Sequence, residues 1–137
     1  MRVVLDTNVL VSALLTPHGS PGHILEHWFD GAFEMIVSPL LLEELGRTLA
    51  YPKIRQRISE AEASEFVDLL RRQAQLVDDP VVSPKTASPD PGDDYLIALG
   101  EGAEALIVSG DGHLLGLADA LPVLSPQQLL VSLTFDT

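Results

Sequence analysis

The chain has 137 residues, 46% of them hydrophobic, and carries a net charge of −12 from twenty acidic and eight basic side chains. That size suits one domain, spanning 1–137, with a sizeable core; the absence of cysteine excludes disulfides and thiolate metal sites, and the lack of a signal pattern or of an apolar run near ~18 residues leads to the expectation of a cytoplasmic protein with no membrane partner. The acidity works against a simple nucleic-acid-binding module, because phosphate affinity comes largely from Lys and Arg, but a cation held by clustered acids would reverse the local field.

In chain order, Val3–Leu5 has the pattern of a buried strand that stops on Asp6. Ser20-Pro21 then offers a hydroxyl N-cap followed by proline at the first helical position, and Phe33–Val37 reads as a second strand. Ser38-Pro39 repeats the cap ahead of "LLLEEL", whose Leu40, Leu41 and Leu45 give the buried face, and Ala50-Tyr51-Pro52 ends that helix. Ser59-Glu60-Ala61-Glu62 is a capping box leading into Phe66, Leu69 and Leu70 on one face. The Pro- and Ser-rich stretch from Asp78 to Gly92 predicts a long loop. After it come a helix in "DDYLIAL", a strand at Leu106–Val108, a weaker one around Leu121–Leu124, and a capped helix from Ser125-Pro126. Strands alternating with helices predict a three-layer α/β/α sandwich around a central, mainly parallel sheet of four to five strands.

Ligand sites in open parallel sheets lie beyond the carboxyl ends of the strands. Asp6 follows the first strand, and Asp111 stands in the same relation to "LIVSGD". Glu43 or Glu44 and Asp93 or Asp94 can join them from helices. Each has an ordinary alternative: a helix cap for Asp93 or Asp94, a solvated face for the glutamates, a turn for Asp111. Asp6 fits such an alternative least well, since a charge beside an apolar strand needs a partner or a metal. Converging carboxylates would raise one another's pKa values unless a divalent cation joined them, and oxygen-only ligands suit Mg²⁺ or Mn²⁺.

The ordered segments "VVLDTNVLV", "SPLLLEEL", "DDYLIAL", "LIVSGDGHLL" and "LPVLSPQQLL" span nearly the whole chain and resemble the PIN-domain ribonucleases, in particular the VapC-like bacterial toxins of toxin–antitoxin systems. The resemblance implies a PIN-like fold, Mg²⁺- or Mn²⁺-dependent cleavage of RNA, a cognate antitoxin, and a homodimer or higher oligomer. It places the four catalytic and metal-binding acids on Asp6, Glu44, Asp94 and Asp111. Asn8, or the Thr7 hydroxyl, and Ser109 would support the site, Asp93 would be an auxiliary acid or cap, and Glu43 would be the fallback for Glu44. Two departures stand out: Ser109 replaces the commoner threonine, and Gly112 stands where relatives often have a basic residue.

Arg47, Lys53, Arg55 and Arg57 crowd one short stretch after the glutamate-bearing helix. They could form a basic lip for RNA, or simply decorate a solvated helix end. Other classes fit less well. A Mg-binding receiver-like regulatory domain needs a lysine after a late strand, and none follows Lys85; a haloacid-dehalogenase-type phosphatase needs a second Asp where Asn8 stands. A PIN-fold binding module that has lost catalysis would not need all four acidic positions filled.

Overall fold

The computed structural model describes residues 1–81, 94–118 and 122–135. Its strands are β1 (Arg2–Leu5), β2 (Glu34–Val37), β3 (Gln75–Leu76), β4 (Leu106–Val108) and β5 (Val123–Leu124). They form a five-stranded sheet in the order β3-β2-β1-β4-β5, with every pairing parallel. Val3 to Leu5, Met35 to Val37, and Ile107 with Val108 are buried because helices cover both faces of the sheet, which is why these strands read as continuous apolar runs. The edge strand β3 has no such signature: both of its residues are exposed, so the sequence pattern passed over it.

The helices are α1 (Thr7–Leu15), α2 (Ser20–Phe29), α3 (Pro39–Leu49), α4 (Pro52–Arg55), α5 (Glu60–Gln73), α6 (Asp94–Ala103), α7 (Gly112–Leu115) and α8 (Pro126–Phe135). Three predicted caps form. Ser38 Oγ accepts from Leu41 N, Ser59 and Glu62 complete the capping box, and Ser125 does the same with Gln128. The fourth is corrected: α2 starts one residue early, with Gly19 as N-cap, and the Ser20 side chain makes no capping bond. The predicted loop from Asp78 onward lies outside the described residues beyond Val81, as does Asp93.

Helix α1 packs on α2 and α3, α3 on α5, and α2 on α8, whereas α6 packs on β1 and β4. By the right-handed crossover rule, the advance of β1, β2 and β3 one way across the sheet and the placing of β4 and β5 on the other side of β1 put α6 on the face opposite α1 and α3. One apolar core runs through both, and no described helix is long and apolar enough to cross a membrane. Gly100 fixes the depth of the α6 layer. A Cβ there would lie 2.6 Å from Ile107 Cγ1, so the α6 backbone at Gly100 packs directly on the Ile107 side chain of β4. Glu104, at φ 52°, then turns the chain from α6 toward β4.

Candidate metal centre

Strands β1 and β4 are neighbours in space but far apart in the chain, so the crossovers diverge at their carboxyl ends. This is the switch point where parallel sheets open a crevice. Asp6 leaves β1 at that point, its N–H bonded to Val108 O at 2.9 Å. It occupies the N-cap position of α1, yet its side chain makes no capping bond. Instead Asp6 Oδ2 accepts from Ser109 Oγ at 2.7 Å, and Ser109 Oγ in turn accepts from Asp111 N at 2.9 Å. Ser109 is fully buried, so one hydroxyl links the ends of the two central strands and orders the turn that carries Asp111.

Asp6 is only 8% exposed, and burial pushes its carboxyl above the usual carboxylate range. The Ser109 bond and the nearby Asn8 N–H pull it down, and the negative charges of Glu44 and Asp111 push it up again. Both glutamates of "LLLEEL" can therefore be placed. Glu44, half-buried, turns inward on α3 and accepts a hydrogen bond from the Tyr95 phenol of α6, while Glu43 is exposed and pairs with Arg47 at 2.9 Å. Leu41, Leu42, Leu45 and Leu49 are buried, whereas Leu40, expected on that face, is exposed; Glu44, three residues after Leu41, flanks the stripe, and Glu43 lies further round the helix.

Tyr95 escaped the sequence reading, which saw only an apolar-type position beside Asp94. Burial and the neighbouring Glu44 raise its pKa, so the phenol keeps its proton as a donor. Asp94 is half-buried in the first turn of α6. Thr7 is buried, its hydroxyl beside the Tyr95 phenol; Asn8 is exposed.

Arg57 donates to Leu15 O at the far end of α1, which at about 1.5 Å per residue is ~13 Å along the helix from Asp6. Arg47 is engaged by Glu43, Arg55 Nη1 is buried without a partner among the described residues, and Lys53 is exposed.

All of the candidate donors are hard oxygens, and the buried Thr7 hydroxyl adds one more. Among the described residues no group of three or more acidic or imidazole side chains forms a ready-made chelate. Oxygen donors of this kind suit a hard divalent cation such as Mg²⁺ or Mn²⁺.

Residues 2–113 match the family model described as PIN domain. The chain is 30% identical over 122 residues, 87% of its length, to the uncharacterised protein MJ1680 of Methanocaldococcus jannaschii, of which the match covers 76%. It shares its fold with PAE2754 from Pyrobaculum aerophilum, with a TM-score of 0.65, 17% identity, and coverage of 98% of this chain and 90% of that one. VapBC2 from Rickettsia felis, crystallised bound to a DNA fragment from the VapBC2 promoter, gives a TM-score of 0.60 at 15% identity, covering 91% and 98% of the two chains. FitAcB from Neisseria gonorrhoeae gives 0.56 at 19% identity over the same shares.

Proposed function

The chain belongs to the PIN-domain family, whose members are generally nucleases that use divalent metals, and from that premise we propose that it is a Mg²⁺- or Mn²⁺-dependent endoribonuclease. In this reading it hydrolyses RNA phosphodiester bonds in the cytoplasm as the toxin of a toxin–antitoxin pair. The observation that carries the reading is Asp6, a carboxyl buried at the switch point whose charged neighbours, Glu44 and Asp111, are both acidic. A carboxylate in that position lacks protein counter-charge, and a dication supplies it.

Asp6, Glu44, Asp94 and Asp111 would hold the ion, with the Thr7 hydroxyl beside them. When bound, a divalent cation supplies a water of lowered pKa and neutralises charge on the phosphoryl oxygens. The chain's own residues do the positioning. Ser109 keeps Asp6 Oδ2 fixed, while its bond from Asp111 N sets the turn bearing the last acid. The antitoxin part of the reading is supported by the fold shared with VapBC2 and FitAcB, and by a net charge of −12, which suits a partner with a basic segment. Arginine is the natural probe of such a groove, being a fork-shaped carboxylate binder.

The test is cleavage of a panel of short RNAs with Mn²⁺, Mg²⁺ or EDTA, beside a folded Asp6→Asn variant. Cleavage that needs the metal and disappears in the variant is the expected result. Equal inertness of both proteins, with no Mn²⁺ uptake by calorimetry, would remove the metal-site reading.

A further inference from the structure

Tyr95 is the one residue of the crevice with no part in the reading above, although it reaches across it. Its backbone belongs to α6, on one face of the sheet, and its phenol donates to Glu44 Oε2 of α3, on the other. The Asp6 charge and the Thr7 hydroxyl both act on the same phenol, so it lies among three acid-bearing elements at once. The arrangement repeats that of Ser109 and Asp6: a neutral hydroxyl holds one oxygen of a carboxylate.

We propose that Tyr95 is a positioning residue for Glu44, fixing Oε2 so that Oε1 is presented to the divalent cation. The inference rests on the metal-dependent reading of the site. A neutral donor suits this task better than Lys or Arg would. It orients the carboxylate as an outer partner orients a metal ligand, yet brings no positive charge to compete with the incoming dication. The half-buried Glu44 side chain has solvent within reach, so without the phenol it is free to rotate away, and ordering it again opposes binding. Tyr95 adjoins Asp94, so the same turn of α6 both offers an acid and steers one.

The full-length protein, its Tyr95→Phe and Glu44→Gln variants and the double variant are titrated with Mn²⁺ by calorimetry, without RNA. Phe keeps the ring's packing, and melting in EDTA checks that each protein folds. Tyr95→Phe is expected to weaken Mn²⁺ binding roughly 10- to 100-fold, Glu44→Gln at least as much, and the double variant no more than Glu44→Gln alone. A merely structural Tyr95 would give effects that add.

A second readout leaves Tyr95 in place. The chain has two tyrosines, and Tyr51 is 59% exposed. Mg²⁺ should give a tyrosine ultraviolet difference spectrum in wild type and in Tyr51→Phe, but not in Glu44→Gln. Mn²⁺ affinity unchanged in Tyr95→Phe while Glu44→Gln is weakened, additive losses, or a Mg²⁺ spectrum that survives Glu44→Gln would overturn the role of Tyr95 alone. Wild-type affinity in Glu44→Gln would overturn Glu44 as a ligand and this inference with it, and no uptake by wild type would overturn the metal reading as well.

Discussion

Two carboxylate–serine pairs in this molecule behave in opposite ways. At the start of α5, Ser59 and Glu62 bond reciprocally in solvent, and the Ser59 hydrogen bonds hold the Glu62 carboxyl below its usual range. At the ends of β1 and β4, Ser109 bonds Asp6 just as directly, yet burial and two neighbouring acids leave Asp6 above its usual range. The same chemical pair thus favours the fold in one place and opposes it in the other. The difference is solvent, and it separates an acid kept for stability from one kept at a cost to stability.

The sharpest way to break this contrast is Asp6→Asn. Cleavage is expected to fall by at least ~100-fold, while the melting temperature in EDTA at neutral pH rises, because a buried charge is removed. Loss of both activity and stability would mean that Asp6 is a structural acid after all. Ser109→Ala comes next: removing the bond that fixes Asp6 Oδ2 should reduce Mn²⁺ affinity by roughly 10- to 100-fold, and calorimetry on the variant measures it.

Titration sharpens the comparison further. Since folded Asp6 keeps its proton to higher pH than unfolded Asp6, its favourable contribution is complete below the ordinary carboxylate pKa and is lost as pH rises through the raised value. In EDTA, the excess melting temperature of Asp6→Asn over wild type should therefore grow from acid toward neutral pH, and added Mn²⁺ should raise the melting point of wild type only. Glu62 has the opposite sign, its contribution being present at neutral pH and lost as pH falls through its lowered value. The smallest expected effect is that of Ser59→Ala, which should cost about 1 kcal/mol through loss of the cap and shift melting by a few degrees without changing cleavage.

How much of this was legible in the sequence varies from residue to residue. The buried strands and the caps at Ser38, Ser59 and Ser125 were, because continuous β-branched runs and hydroxyls before helices are local signals. Strand β3 was not, since two exposed residues at a sheet edge carry no periodicity. The α2 cap was misread because Ser20 and Gly19 both suit that position, and backbone geometry decides between them. Within the site, Asp6 and Asp111 could be read from their places at strand ends, whereas Ser109 came from the family resemblance. The preference for Glu44 over Glu43 came from family resemblance, and the geometry that distinguishes them is the phase of α3 against its buried leucines. Tyr95 could not be found, because no pattern within α6 tells which side chain of α3 it will face.

The flush contact of Gly100 with Ile107 has a consequence at the crevice. Gly100 is five residues from Tyr95, a little over one turn along the same rigid helix, and the sheet against which it rests also carries Asp6 and Ser109. The missing methyl group acts as a spacer gauge: the clearance between helix and sheet on the apolar side sets how far the phenol reaches on the polar side. A substitution that thickens that joint would detune the acids from a distance, with every polar side chain of the crevice still in place.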